Sequence, residues 1–202
     1  MSDVNAALRR ELEALGDRHD AETAAHDERL LNITPDTGAF LGVLVRACRA
    51  QRILEIGTSN GYSTLWLAEA AQATGGQVTT VEHSTAKTAL ARATFARATA
   101  IAPIHLKEVD GGDLLAGATA GEFDFIFLDA DRARYAEWWP AVRRALSDGG
   151  VLVVDNAVSH AAEVAALVAA VSADPAFTAV LVPIGKGEFV ACKSDGVAGA
   201  LP

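Results

Sequence analysis

Apolar positions along the chain change rhythm once. Ahead of residue 32, Val4, Leu8, Leu12 and Leu15 recur at helical spacing among many charges, with Leu30 and Leu31 after them, which predicts one or two amphipathic helices standing before the core. A further helix follows in "TPDTGAFLGVLVRACRA", with Thr34 as N-cap, Pro35 at the first helical position and Asp36 in the first turn. A strand–helix alternation then begins, with strands read at 52–56, 77–82, 104–109, 123–129 and 151–154. Helical patterns fall between them, at 62–73, 86–98, 133–146 and 163–173. Glycine pairs at Gly75-Gly76 and Gly149-Gly150 punctuate two of the helix-to-strand returns.

Alternation of strand and helix builds a parallel sheet with helices on both faces. The end of the chain departs from it. Runs at 176–182 and 188–193 are joined only by "PIGKG", too short for a crossover, so the last pair must be an antiparallel hairpin. The expectation is a mostly parallel, seven-stranded α/β sheet ending in that hairpin. The chain is read as one domain over 1–202, with N-terminal helices over 1–32, a core over 33–194 and a tail over 195–202.

Ligand sites in such sheets lie beyond the carboxyl ends of the strands. Several strands here end in residues able to do chemistry. In "ILEIGTSNGYS" a GxxxG turn joins strand to helix; it lacks the middle glycine on which a dinucleotide's pyrophosphate would press, and a purely structural turn is the plain alternative. The second strand ends in Glu82, placed to accept hydrogen bonds from ribose hydroxyls or simply to end a strand at the surface. In "VDGGDLL", Gly111 and Gly112 would let the backbone pass close to a flat ring, with Asp110 or Asp113 facing an exocyclic amine. Together these describe a nucleoside site without phosphate contacts, which suits S-adenosylmethionine better than a dinucleotide. The fourth and fifth strands run into "DADRARY" and "DNAVSH", presenting Asp129, Asp155 and Asn156.

Composition narrows the partners. With 202 residues, half of them hydrophobic, the chain can bury a substantial core, and a formal net charge of −9 disfavours a nucleic-acid surface. No apolar run reaches the roughly 18 residues of a membrane span, and "MSDVNAALRR" has no signal-peptide core, so a cytoplasmic, membrane-free protein is expected. Cys48 and Cys192 stand in apolar contexts far apart and are read as two buried thiols rather than a disulfide. The Ala-rich stretches at 86–102 and 157–173 read as helices, not low complexity, and no internal repeat is present.

In "TPDTGAFL", "ILEIGTSNGYSTLWLA", "FDFIFLDADRARY" and "GGVLVVDNAV" the sequence resembles the class I S-adenosylmethionine-dependent methyltransferases, and among them the cation-dependent O-methyltransferases of the caffeoyl-CoA and catechol type. The resemblance implies a Rossmann-like fold and particular roles. Glu55, Gly57 and Ser63 would hold the methionine part of the cofactor, Glu82 the ribose, and the Gly111, Gly112, Asp113 turn the adenine; Ile33, Thr58, His83 and Asp129 complete the implied cofactor set. Asp129, Asp155 and Asn156 match the family's metal ligands. Two carboxylates and an amide oxygen form a hard partial shell suited to Mg²⁺, Ca²⁺ or Mn²⁺, with zinc disfavoured by the lack of His and Cys. The family's substrates are small hydroxylated molecules such as catechols, whose hydroxyl a cation would acidify, and its members tend to be homodimers. An unplaced apolar stripe on the N-terminal helices points the same way.

Two departures from the family pattern matter. "DNAVSHAAEVAALV" passes almost directly into a helix, without the long segment that recognises CoA esters in plant members, so a CoA thioester substrate is not expected. Arg132 stands where many relatives have a lysine taken as general base, and a guanidinium cannot act as one. That leaves the cation alone, Asp131 or His160 to account for proton removal, with Arg132 as an electrostatic helper in catalysis beside Asp129, Asp155 and Asn156. Trp138 and Trp139 are read as packing residues. Three other readings stay open: a tRNA hydroxyuridine methyltransferase, a nicotinamide oxidoreductase and a non-catalytic cofactor-binding module.

Overall fold

The computed structural model describes residues 3–25 and 28–195; of the expected tail only Asp195 lies within that range. The elements run α1 (Asp3–Glu22), α2 (Pro35–Ala47), β1 (Arg52–Ile56), α3 (Tyr62–Thr74), β2 (Gln77–Glu82), α4 (Thr85–Phe95), β3 (Ile104–Glu108), α5 (Gly111–Gly117), β4 (Phe123–Leu128), a 3₁₀ turn (Arg132–Arg134), α6 (Tyr135–Ala145), β5 (Leu146–Val154), α7 (Ala161–Ser172), β6 (Phe177–Val182) and β7 (Glu188–Lys193). They build one seven-stranded sheet in the order β3-β2-β1-β4-β5-β7-β6. Strands β1 to β5 pair in parallel, and β7 lies antiparallel between β5 and β6. The expected α/β sheet with a terminal antiparallel hairpin is what forms.

Strand alternation divides the core into two layers. Ile53, Phe125, Phe127, Val151 and Val153 point to the face covered by α2 and α3, where they meet Leu41, Val45 and Leu65. Leu54, Ile56, Ile126, Leu128, Leu152 and Val154 point to the other face, against Trp138, Trp139, Val142, Val164 and Leu167 of α6 and α7. The two tryptophans are therefore packing residues, and Trp139 meets Phe177 edge-on with centroids 5.0 Å apart. The chain order reverses between β1 and β4, so the switch point lies where those two strands end.

Four expectations need correction. The Gly149-Gly150 pair lies within β5 rather than before it; the register against β4 jumps from Phe123↔Leu146 to Phe125↔Val151, and Gly149, at φ +73°, absorbs the extra residues as a bulge. Residues 111–117 form a short helix where a bare loop was expected, because Asp110 caps it, accepting from the amides of Gly112 (2.8 Å) and Asp113 (3.3 Å). Cys48 and Cys192 are free, as expected, but exposed: Cys48 sits at the C-cap of α2, where the helix leaves the core, and Cys192 follows the inward-facing Ala191 on β7.

The fourth concerns the N-terminal stripe, whose middle leucines are docked within the chain while Val4 and Leu15 stay exposed. Leu8 and Leu12 of α1 are buried in the same layer as Leu65 and Tyr62. The Arg9 guanidinium, itself buried, pairs with Glu69 at 2.5 Å and lies 4.0 Å from the Trp66 ring centroid on α3. The Tyr62 hydroxyl donates to Glu13 (2.6 Å), and Asn5 exchanges two hydrogen bonds with the backbone of Thr99. Among the described residues ahead of α2 one α-helix forms, and most of the argument for a dimer from an unplaced stripe falls. No helix among the described residues is long and apolar enough to cross a membrane.

This docking makes a sharp contrast between neighbouring leucines. Leu12→Ala should lower the unfolding free energy by about 2–4 kcal/mol, the usual range for a truncated core leucine. Leu15→Ala, at a position 38 % exposed, should change it by less than about 0.5 kcal/mol. Urea denaturation followed by circular dichroism checks both; equal effects would mean that α1 does not pack as described.

Candidate functional site

Beyond the switch point the end of β1 turns sharply. Gly57 adopts φ +106°, and a Cβ there would lie 1.9 Å from the backbone carbonyl oxygen of Asp129, at the end of β4. Gly57 and Thr58 both donate their amides to Val81 O, at 3.0 and 3.2 Å. At Gly61 (φ +87°) an added Cβ would strike the Phe95 ring at 2.6 Å. Both glycines of the GxxxG turn are thus required by the protein's own packing, whatever ligand the turn holds.

Beneath the turn lies Glu55, fully buried. Its carboxylate accepts from Ser63 Oγ (2.5 Å), Thr80 Oγ1 (2.6 Å) and Thr64 Oγ1. Burial pushes its pKa up to about 7 against the opposing pull of those three hydroxyls. Thr58 is buried beside it, its hydroxyl 2.6 Å from that of Thr80. The structure therefore places Glu55, Ser63 and Thr58 in one internal hydroxyl–carboxylate network under the turn. Ile33 is buried in the neighbouring apolar layer.

Glu82 lies at the rim of the turn. Its Oε2 accepts from the amide of Ser59 and its Oε1 from that of Ser84, each at 2.9 Å, which ties the β1 turn to the start of α4. Each oxygen keeps a second lone pair for a further donor. His83 points outward, 82 % exposed, with Nδ1 3.6 Å from Glu82 Oε1. On the third strand's loop, an added Cβ at Gly111 would meet Ile56 at 2.5 Å, and at Gly112 the Trp138 Nε1 at 2.7 Å. The flat ring these glycines approach is the protein's own indole. Asp110 is engaged by Arg134 at 2.6 Å, whose guanidinium holds its carboxyl below the usual range, while Asp113 is exposed.

Next to the turn stands a knot of acids. β4 and β5 pair in parallel with Leu128 opposite Val154, so the residues that follow, Asp129 and Asp155, leave the sheet side by side. Asn156 takes a left-handed backbone (φ +65°), which asparagine tolerates. Its Nδ2 donates to Asp155 Oδ2 (2.6 Å) and faces Asp129 Oδ1 (3.4 Å), while its Oδ1 accepts from Ser159 Oγ (3.2 Å). Burial, then the charge of Asp155, pushes the Asp129 carboxyl well above its ordinary range, although the positive charges of Lys186 and Arg132 oppose the shift.

Glu188 belongs to this knot and escaped the sequence reading. It is fully buried at the start of β7, and burial followed by the charge of Asp155 pushes its pKa up to about 10. The signal was present in the hairpin. An antiparallel β7 must begin where β5 ends, and with Val154 opposite Phe189 the next pair is Asp155 with Glu188.

The remaining candidates flank the knot. Arg132 Nε donates to Glu163 Oε2 on α7 (2.8 Å), Asp131 is exposed and caps the 3₁₀ turn by accepting from Ala133 N (3.2 Å), and His160 precedes α7 with Nδ1 2.9 Å from Ser159 Oγ. A recess of about 500 Å³ lies elsewhere, against β3 and α4, and brings none of these residues together.

Among the described residues no group of three His, Cys, Asp or Glu side chains is placed to hold a metal ion. The donor chemistry nevertheless fits a hard divalent cation: Asp129, Asp155 and Asn156 are oxygen-bearing and contiguous, and two buried carboxyls share one amide as their only close donor in the triad. A half-turn of the Asn156 carboxamide exchanges Nδ2 for Oδ1 and presents a third oxygen to the same point.

The sequence model of the O-methyltransferase family matches residues 9–194. A catechol O-methyltransferase of Niastella koreensis is 34% identical over 131 residues, a match spanning 63% of this chain and 59% of that protein. A putative O-methyltransferase of Mycobacterium sp. is 33% identical over 193 residues, covering 86% of this chain and 87% of the relative. Among solved structures, the O-methyltransferase from Bacillus cereus in complex with SAH superposes with a TM-score of 0.74 at 25% identity, covering 93% of this chain and 91% of that one. The strand-end turn, the acid knot and these matches agree, and the chain belongs to the O-methyltransferase family.

Proposed function

We propose that the protein is an S-adenosylmethionine-dependent O-methyltransferase that uses a divalent cation to methylate a hydroxyl of a small, catechol-like molecule. One observation carries the reading: Asp129 serves both halves of the site, its backbone carbonyl against Gly57 in the β1 turn and its carboxylate in the acid knot. A methyl donor held at the turn and a hydroxyl held at the knot would lie on two sides of one residue, and such juxtaposition is a large part of catalysis in a two-substrate transfer. The catechol O-methyltransferase likeness and the SAH-bound neighbour support both halves.

The side chains divide the work. Asp129, Asp155 and Asn156 would hold the cation through oxygen, and Glu82, with lone pairs to spare, would accept from the ribose hydroxyls. Ser63, Thr64 and Thr80 hold Glu55, and that network keeps the turn above it in shape. S-adenosylmethionine supplies an electrophilic methyl group, and the cation supplies Lewis acidity that favours the ionised substrate hydroxyl. Arg132, paired through Nε with Glu163, keeps its other guanidinium nitrogens for an oxyanion or an acidic substituent on the substrate. The homodimer rests on the family resemblance alone. Light scattering of the full chain at micromolar concentration tests it, and a monomer mass refutes it.

Labelled S-adenosylmethionine with a catechol and Mg²⁺ should yield methylated product that disappears on adding EDTA. Transfer unaffected by EDTA would remove the cation, and no transfer to a broad hydroxyaromatic panel would remove the substrate class. Arg132→Lys should keep most of the activity and Arg132→Ala should lose about ten- to a hundredfold, the scale of one charge-assisted contact. Asp155→Ala should lose far more. Undiminished turnover in Arg132→Ala would leave that side chain only its ion pair with Glu163.

A further inference from the structure

The acid knot has two cations beside it, and only one of them is paired. Arg132 Nε donates to Glu163 Oε2 at 2.8 Å, which answers much of its charge. Lys186, in the short "PIGKG" connection between β6 and β7, is half-buried, and among the described residues its ammonium makes no hydrogen bond or ion pair. Its positive charge nevertheless reaches the Asp129 carboxyl, and does so ahead of that of Arg132, although Arg132 follows Asp129 closely in the chain.

The turn that carries Lys186 is fixed from both sides. Gly187 donates its amide to Ile184 O (2.7 Å), which closes the turn. Lys186 O accepts from the amides of Val158 (3.3 Å) and Ser159 (3.0 Å), and Gly187 O from that of Ala157 (2.7 Å), so the turn is bonded to the residues directly after Asn156. On the α2 side, a Cβ on Gly185 would lie 2.1 Å from Thr37 Oγ1. Gly185 (φ +56°) and Gly187 (φ +94°) both take left-handed backbone, with Lys186 between them. A backbone pinned this way anchors the lysine stem beside the strand ends that carry Asp129 and Asp155. The other ionisable groups around it are engaged or face away. Glu188 is a neutral carboxyl hydrogen-bonded to Asp155, which also accepts from Asn156 Nδ2 (2.6 Å). Asp131 caps the turn after β4, His160 Nδ1 lies 2.9 Å from Ser159 Oγ, and Asp36 on α2 is exposed.

We propose that Lys186 is a catalytic residue of the transfer, its ammonium donating to the substrate oxygen that is methylated and favouring the ionised form of that oxygen. The proposal rests on the O-methyltransferase reading above and adds to the parts given there to the cation and to Arg132. An opposite charge within reach lowers the pKa of a bound hydroxyl by about 1–3 units, so more of it is ionised at neutral pH. The hydroxyl proton passes to water, while Lys186 keeps its own protons and offers one as a hydrogen bond. The oxyanion then bonds to the methyl carbon as the carbon–sulfur bond breaks. The electron pair of that bond stays on sulfur, and S-adenosylhomocysteine leaves.

Two acceptors separate this role from a structural one. Catechol must lose its proton on the enzyme, whereas 4-nitrocatechol is already largely ionised at neutral pH. Lys186→Met should lower kcat/KM on catechol about ten- to a hundredfold and on 4-nitrocatechol less than about threefold, with Lys186→Arg restoring most of the rate. In the SAH complex with Mg²⁺, the visible absorbance of bound 4-nitrocatechol followed against pH reads the ionisation without turnover. Its midpoint should rise by about one unit in Lys186→Met. Unchanged SAH affinity certifies the fold of both variants. Equal losses on the two acceptors, or full activity in Lys186→Met, with an unmoved midpoint would overturn the proposal and leave Lys186 a loop residue. If the unsubstituted chain transfers no methyl group to either acceptor, the methyltransferase reading fails, and the absorbance midpoint alone decides whether Lys186 meets the bound hydroxyl. No bound absorbance at all would overturn both.

Discussion

The site hangs on the closeness of two strand ends. β1 and β4 finish so near each other that no atom larger than hydrogen fits on Gly57 beside the carbonyl of Asp129. That contact sets the direction in which the β1 turn leaves the sheet, and so where Ser59 meets Glu82 and where Ser63 and Thr64 reach back to Glu55. It also fixes the backbone of Asp129, whose side chain begins the acid knot. A sheet whose order reverses between β1 and β4 brings these ends together with no helix in between, which is why the chemistry gathers there.

Around that point the protein tolerates an electrostatic arrangement that would be unfavourable elsewhere. Asp129 and Glu188 flank Asp155 in surroundings from which water is largely withdrawn, and the charge of Asp155 disfavours ionisation of both. The hydrogen bonds there are shared among the acids themselves: Asn156 Nδ2 serves two aspartates, Thr37 serves one glutamate oxygen, and Glu188 in its neutral form is hydrogen-bonded to Asp155. Glu55 is different. Its three hydroxyl donors make it a satisfied internal brace, and its raised pKa reflects burial rather than want of partners. Of the two buried acid systems, one is held by hydroxyl donors and the other by hydrogen bonds among its own carboxyls and one amide.

The strands at 52–56, 77–82 and 188–193 were legible because glycines stand beside each, at Gly57, Gly76 and Gly187, and β1, β2 and β7 begin and end there. The strand-end residues Asp129, Asp155 and Asn156 were legible because apolar strands run into them, and the structure brings them together. Less legible was anything decided by packing between distant segments. The space over Gly111 and Gly112 is filled by Ile56 and Trp138, contributed by other elements, so a glycine pair read as room for a ligand ring is first of all room for an indole. The α1 stripe looked unplaced because its partners, Trp66 and Glu69, sit on α3 more than fifty residues later and one of them is charged. Glu188 was missed because a lone acid opening a strand looks like a surface residue until its pairing partner is known.

The antiparallel hairpin has a consequence for how the molecule comes into being. β7 is the last strand of the sheet to be synthesised, yet it inserts between β5 and the outer strand β6 rather than adding at an edge. The strands β1 to β5 all precede it in the sequence, and Asp155 leaves the end of β5 at the place β7 comes to cover. Only when β7 slides in and Phe189 pairs with Val154 does that end become enclosed. The contact between the Glu188 and Asp155 carboxyls therefore depends on the last strand of the chain, and so does the raised pKa of Glu188.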